Sequence, residues 1–339
     1  MAQGDILSII KNRPFNAIIN GAMDYWQRGT SFNFLATSGY TADRFVGFDT
    51  NISRQSFVTG QTDVPNNPKY FMRSDNTGRT GSFGGIVQRI EDISTVAGKQ
   101  KTFSVYMNTS VNSTIYFRSW YNFGAGSTTS ARPSAWIPIN LTIGWKRYTV
   151  TVDFPPILAS DDLRSGNYAE ATLDLYVSGA SGSSLGYTTQ GLTPPTYVGQ
   201  LDVSNMMLSD GPMAPEFERS GVSLANELQL CQRYFEKIPH SRIFASYSSA
   251  TNVFYGDKTH FKTQKRIAPS VSANVITGGQ WSHIGTTVFS ATNPSGITFY
   301  ANTGSFIMSQ NRIAGGGTPV DGGIYGWEAN ATFSADAEL

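Results

Sequence analysis

The histidines and the cysteine are the residues of this chain that could support metal or nucleophilic chemistry. There are three histidines, His240, His260 and His283, and none has the spacing of a metal-ligand pair. Cys231 has no second cysteine with which to form a disulfide or a cysteine-based zinc site. The sequence therefore predicts neither a bound metal nor a cofactor, and His260 is interpreted as a surface or hydrogen-bonded histidine.

Pairs of carboxylates could indicate a glycosidase, which holds two such groups on either side of one bond. The adjacent pairs are Glu91–Asp92 and Asp161–Asp162. Neighbouring strand residues point to opposite faces, and Asp161–Asp162 lies in a turn-like segment, so neither pair fits this arrangement. The glycine-rich segment 77–85 lacks the Gly-Lys-Ser/Thr ending of a phosphate loop. We expect a protein that is not an enzyme.

A group of aromatic and planar polar residues around the loop 124–134 has the composition of a sugar-binding site. Within the predicted strand 114–120, period-two alternation places some of them opposite Ile115 and Phe117, on the outward face. The sequence predicts a glycan or receptor site here, and the alternative is that the rings pack against a sheet or a neighbouring subunit. The candidates are Tyr116, Arg118, Trp120, Tyr121 and Trp136.

Composition and charge restrict the class of protein. Charged residues make up 14% of the 339 residues and the net charge is +1, which gives no field for holding nucleic acid or an anionic membrane. No apolar run is long enough for membrane insertion, and Met1–Asp5 lacks the features of a secretory signal. We expect synthesis and folding in a cytoplasm. The 13% aromatic content, with many Gly residues, favours short strands and tight turns.

Period-two segments such as Phe103-x-Val105-x-Met107 extend to about Pro215, and further strand-like segments follow Pro239. Between them, Ser223 can cap a helix that places Leu224, Leu228, Cys231 and Phe235 on one face. The sequence thus predicts an all-β fold of two β-sandwich (jelly-roll-like) domains joined by one short α-helix. The predicted divisions are an arm 1–16, a sandwich 17–218, a linker helix 219–239 and a second sandwich 240–339.

A set of segments along the chain carries a resemblance to known proteins: 17–32, 39–45, 98–107, 144–148, 215–219, 227–237 and 261–270. Together they resemble tail-fibre and related virion-appendage proteins of tailed bacteriophages and prophages, which contain a carbohydrate-binding-module-like β-sandwich. The resemblance spans most of the chain, and it is specific for the family and weak for the role.

The resemblance implies a homotrimer in the virion, made in the cytoplasm of a bacterial host, with one end attached to the particle and the other facing the host. Its partners would then be other virion proteins, of the tail or the capsid, and a host cell-surface glycan or protein. The apolar residues of the arm would dock on the particle, although a frayed terminus is the alternative. These docking candidates are Ile6, Leu7, Ile9 and Ile10.

The apolar stripe of the predicted helix has two interpretations. Leu224, Leu228, Cys231 and Phe235 could pack around the threefold axis of the trimer, or the helix could lie across the base of one sandwich. For the whole protein, the leading hypothesis is a non-enzymatic tail fibre or receptor-binding protein. A capsid decoration or head-fibre protein is the alternative. A polysaccharide-degrading tailspike ranks last, because long β-helix repeats are lacking.

Overall fold

Strands are the main regular element of the structure, a computed structural model that describes residues 15–178, 185–251, 253–274, 280–283, 288–290, 297–311 and 324–339. The chain divides into two compact units between Leu228 and Gln229. This boundary lies inside the predicted linker 219–239. Among the described residues no helix has the length and apolar character needed to cross a bilayer. The docking candidates Ile6, Leu7, Ile9 and Ile10 lie outside the described residues.

The described part of the first unit contains twelve strands in two antiparallel six-stranded sheets. Sheet I has the order β1-β4-β5-β12-β7-β10, and sheet II has the order β2-β3-β6-β11-β8-β9. The strands are β1 Ser31–Asn33, β2 Ser38–Tyr40, β3 Phe45–Phe48, β4 Asn51–Ser56, β5 Tyr70–Asp75, β6 Phe83–Glu91, β7 Gln100–Thr109, β8 Ser113–Asn122, β9 Arg132–Leu141, β10 Lys146–Asp153, β11 Tyr168–Val177 and β12 Gln200–Asp210. Short 3₁₀ helices occur at Ile93–Thr95 and Thr188–Gln190.

The core of the first unit lies between these sheets and follows the period-two pattern of the sequence. On β7, Phe103, Val105 and Met107 all point inward and are buried, and on β8 Ile115 and Phe117 do the same. The rings of Phe103 and Phe117 meet across the two layers with centroids 4.5 Å apart. Since every second residue of these two segments is apolar, one face of each strand packs into the core and the other lies on the outside of the sandwich. The predicted β-sandwich is confirmed.

The second unit is built on one nine-stranded hydrogen-bonded sheet, sheet III, with the path β15-β20-β14-β13-β21-β17-β18 and with β16 and β19 added to β21 and β20. Its own apolar core includes Phe306 and Phe333, whose ring centroids are 5.3 Å apart. The strands are β13 Phe235–Ser248, β14 Val253–Gly256, β15 Thr259–His260, β16 Ser270–Asn274, β17 Gln280–His283, β18 Val288–Ser290, β19 Ile297–Ala301, β20 Ser305–Asn311 and β21 Ile324–Asp336. The all-β class predicted for both halves is confirmed.

The helix, α1 Leu224–Gln232, is shorter than predicted. Its predicted cap is confirmed, since the backbone N–H of Asn226 donates to Ser223 Oγ at 3.2 Å. The prediction of helix as far as Pro239 is wrong, because Phe235 begins β13 and pairs with Asp336 of β21. Long-range strand pairing has here overridden a local helical pattern.

The four residues of the predicted stripe therefore do not share one helix face. Cys231 and Phe235 are buried, and Phe235 belongs to a strand. Leu228 is half-buried, and Leu224 is 53% exposed. Since two of the four are buried within a single chain, the set as a whole cannot pack around a threefold axis.

Candidate functional site

The predicted site residues of β8 divide between its two faces. Tyr116 and Arg118 point away from the core, as predicted, and Trp120 lies with them on the outer face of sheet II. Tyr121 has the opposite parity and points inward. It is 0% exposed, and its hydroxyl donates to the carbonyl of Pro155 at 3.0 Å. Tyr121 has no accessible ring face for a ligand, so its assignment to a binding site is wrong.

Arg118 and Tyr116 belong to a buried polar network on this outer face. Arg118 donates to both carboxylate oxygens of Asp174, at 2.6 and 3.3 Å, and is only 4% exposed. The hydroxyl of Tyr187 donates to the same carboxylate at 2.7 Å, and its ring lies edge-on to Tyr116 with centroids 5.0 Å apart. Burial raises the pKa of Tyr187, and the Asp174 charge adds to this shift. The network fixes the loop that carries Tyr187 over the sheet, so neither Arg118 nor Tyr116 is open to a ligand.

Trp136 is held by the same loop. Its indole N–H donates to the carbonyl of Leu185 at 3.0 Å. The ring packs on Gly186, where a Cβ atom would lie 2.6 Å from it and where φ is +85°, so glycine is required on both grounds. One side of Trp136 lines a groove of about 410 Å³ between β9 and β10. Its main role is therefore to pack against this loop, whereas the alternative interpretation had these aromatics pack against a sheet or a neighbouring subunit.

A row of partly exposed side chains crosses three neighbouring strands of sheet II beside this network. Trp120 on β8 lies opposite Glu170 on β11, and Glu170 lies opposite Arg89 on β6. In the next row, Asn122 lies opposite Tyr168. Directly opposed residues of antiparallel strands share a face and are close enough to interact. We call these five residues the Trp120 face.

The Trp120 face combines two aromatic rings with fixed polar groups. Arg89 Nε lies 3.5 Å from Glu170 Oε1, and the Arg89 guanidinium lies 5.1 Å from the centre of the Tyr168 ring. Burial raises the pKa of the Glu170 carboxyl, and Arg118 and Arg89 offset the shift only in part. Burial also raises the pKa of Tyr168, which keeps its hydroxyl protonated at neutral pH. One acidic and one basic side chain balance each other, so the face suits an uncharged ligand rich in hydroxyl groups.

Tyr168, Glu170 and Arg89 were not identified from the sequence. The signal for two of them was present, because residues 168–176 alternate between outward polar or aromatic residues and inward Ala or Leu. The strand order was the missing information, since nothing local shows that β11 lies between β6 and β8. Among the described residues, no group of three or more His, Cys, Asp or Glu side chains could hold a metal ion.

No protein-family model matches the sequence, and no curated protein sequence matches it. Parts of the chain are similar in structure to solved proteins. One is the enzymatically active domain of tailspike protein 4 of bacteriophage CBA120, at 14% identity and a TM-score of 0.34 over 58% of this chain and 22% of that one.

The modules of an endo-1,4-β-D-xylanase from Clostridium thermocellum, solved with xylohexaose, are 11% identical with a TM-score of 0.31, over 57% of this chain and 30% of theirs. A xylan-binding domain from Paenibacillus barcinonensis is 9% identical with a TM-score of 0.31, over 50% of this chain and 92% of its own length. The chain thus spans under a third of the first two proteins. At these identities and TM-scores the similarity is one of fold and implies no function for this chain.

Proposed function

We propose that this chain is a non-enzymatic, glycan-binding protein of a phage virion, and that it contacts the host cell surface through the Trp120 face. The finer role is that of a homotrimeric tail fibre or receptor-binding protein. The observation that carries the proposal is the alternation of two partly exposed rings, Trp120 and Tyr168, with the carboxylate and amide of Glu170 and Asn122 on adjacent strands.

These groups match the two needs of saccharide recognition. The C–H face of a sugar ring is apolar and packs against Trp or Tyr, whereas its hydroxyl groups exchange hydrogen bonds with planar side chains. Arg89 acts as a positioning residue, because it contacts both Glu170 and Tyr168 and restricts their movement. Single contacts of this kind are weak, and three copies in one particle appendage would strengthen attachment through avidity.

The test is binding of the full chain to a glycan array and to host cells, with Trp120→Ala and Glu170→Gln variants. An aromatic contact contributes about 0.5–1.5 kcal/mol beyond area burial, so we expect Trp120→Ala to weaken binding about tenfold. Tyr300→Ala, at an exposed ring of the second unit, is the matched control and should bind normally. Equal binding by Trp120→Ala and the unmutated chain, with both folded, would reject this face.

Localisation of the protein in intact particles tests the finer role. Antibody labelling of the tail tip supports the tail-fibre assignment. Labelling of the capsid surface instead would reject it in favour of a head decoration or head-fibre protein, and would leave the glycan-binding result unaffected.

A further inference from the structure

Sheet I carries a groove on its outer face, which is the side of the first unit opposite the Trp120 face. Its volume is about 480 Å³, and it crosses the four adjacent strands β1, β4, β5 and β12. Its polar lining comes mainly from planar side chains. These are Asn33, Asn51, Gln55, Arg73, Asp75 and Gln200, which we call the sheet I groove.

The floor of the groove is a cross-strand row of amides around one carboxylate. Asn33 lies opposite Asn51, Asn51 opposite Asp75, and Asp75 opposite Gln200. Gln200 Nε2 donates to Asp75 Oδ2 at 2.9 Å, which holds both side chains in the floor. A row of fixed amide and carboxylate groups offers donors and acceptors at regular intervals along one line.

Arg73 is held rigidly beside this row. It donates to the Asp202 carboxylate through Nε at 2.6 Å and through Nη2 at 2.9 Å, and Asn108 Nδ2 donates to the same carboxylate at 3.0 Å. Asp202 is almost fully buried, whereas the Arg73 side chain is 32% exposed. Two of its five N–H donors are engaged by Asp202, so the guanidinium is oriented and still has donors to offer at the groove.

One floor acceptor has no hydrogen-bond partner. Asn51 Oδ1 is buried and unpaired among the described atoms. A buried acceptor without a donor costs free energy, and a donor that reached this atom would offset that cost.

An aromatic cluster lies next to the groove, because Phe71 on β5 is opposite Gln55 on β4. The rings of Phe57, Phe71 and Trp145 lie against each other with centroids 4.8 to 5.5 Å apart. The Arg73 guanidinium lies 5.8 Å from the centre of the Phe71 ring, which connects the cluster to the polar floor. The groove itself is a line of planar polar groups with charged side chains of both signs.

We infer that the sheet I groove is a second saccharide-binding site, back to back with the Trp120 face across the same β-sandwich. The inference rests on the proposed function for its ligand class only, because the groove shares no residue with that face. With both sites occupied, one unit would hold two separate glycan chains, or two segments of one chain, on opposite sides. This would allow each copy to cross-link surface polysaccharide.

Fluorine NMR of the full chain labelled with 5-fluorotryptophan can observe the two sites separately. Trp120 reports on one face, and Trp145, in the aromatic cluster next to the sheet I groove, reports on that groove; Trp120→Phe and Trp145→Phe variants assign their signals. The probes are xylohexaose, maltohexaose and delipidated O-polysaccharide of the host. We expect at least one probe to shift the Trp145 signal in the unmutated chain and equally in Glu170→Gln. The double variant Asn51→Ala, Gln55→Ala should lose that shift and keep any shift of Trp120.

The outcomes separate the two proposals. A shift of Trp120 without one of Trp145 would overturn the second site and leave the proposed function standing. A Trp145 shift that persists in the double variant would also overturn it, because the floor would not be involved. A Trp145 shift without one of Trp120 would support the groove and reject the Trp120 face. If no probe moves either signal, both proposals fail.

Discussion

Arg118 was predicted to bind a ligand, and its ion pair with Asp174 instead stabilises the fold. Both are buried, and the Asp174 carboxylate accepts from Tyr187 as well as from Arg118. Removing one partner of a buried pair leaves an uncompensated charge, so we expect Arg118→Met to lower the free energy of unfolding of the first unit by about 3–5 kcal/mol. Guanidinium chloride unfolding measures the change.

The control for Arg118→Met is Arg164→Met, which breaks a surface ion pair with Asp162 at 2.6 Å. Exposed pairs are screened by water, so this variant should unfold at the same denaturant concentration as the unmutated chain. Equal midpoints for both variants would contradict a stabilising role for the Arg118 network.

Glu170 gives a prediction about pH at the same scale. Burial raises its pKa in the folded chain above the ordinary value of 4.5, so the folded state keeps this proton to a higher pH than the unfolded state does. Its contribution to stability is therefore present at low pH and is lost as pH rises from about 4.5 through the raised pKa. We expect Glu170→Gln to remove this decline, which thermal unfolding at a series of pH values would detect.

Glycan affinity should change in the opposite direction over the same range, because an ionised carboxylate is the stronger hydrogen-bond acceptor. Binding by the unmutated chain should strengthen as pH rises, and binding by Glu170→Gln should stay level. A parallel pH dependence in both proteins would show that another group is responsible.

The sequence predicts which face of its strand each site residue occupies, because that depends only on alternation along the strand. The alternation that placed Arg118 outward also places Tyr121 inward, so the sequence already contained the correction. The burial of Arg118 could not be predicted, because Asp174 and Tyr187 are 56 and 69 positions away and reach it only through the sheet and a covering loop.

At the scale of elements, helix α1 depends on a buried carboxylate as well as on its cap. Glu227 accepts hydrogen bonds from the backbone N–H groups of Asn20 and Gly221, within the first unit. A Cβ on Gly221 would lie 2.3 Å from the backbone nitrogen of Glu227, so the approach requires glycine. The helix is thus anchored to the segment that begins the sandwich.

This geometry predicts the order in which three substitutions, one at the cap and two in the helix, reduce the free energy of unfolding. Ser223→Ala should cost about 1 kcal/mol of stability, through loss of the cap. Glu227→Ala should cost more, because each buried N–H left without an acceptor costs about 1–3 kcal/mol. Gln229→Ala, at an exposed position, should be nearly neutral. Urea unfolding measures the series, and a Glu227→Ala loss smaller than that of Ser223→Ala would contradict the anchoring role.

The start of α1 was predictable and its end was not. Ser223 and the apolar spacing are local signals, and the cap forms as they indicate. The end depends on Phe235, which continues the helical spacing but pairs with a strand about a hundred positions later. A local sequence pattern gives no information about a distant strand partner, so the predicted helix is too long.

At the scale of the whole molecule, length and composition indicated two β-rich units, and the structure has two with separate cores. The order of strands within each sheet could not be predicted, because neighbours such as β12 and β5 come from distant segments. The two candidate glycan surfaces arise from that order, since each draws its residues from strands that are not consecutive.

Trimer formation and glycan binding together predict a large difference between soluble and surface-bound ligands. Each proposed site alone would bind weakly, whereas three linked copies can raise the apparent affinity by roughly 10²–10⁴ without new contacts. We expect sedimentation analysis to give three times the mass of one chain, and binding to immobilised polysaccharide to be at least a hundredfold tighter than to a soluble oligosaccharide of the same repeat. Cys231 and Phe235 are buried within one chain, so substitutions there cannot test trimer packing. Leu224 is the exposed residue of the predicted stripe, and its substitution can test that packing. A single-chain mass, or equal affinities for the two forms of ligand, would exclude attachment by avidity.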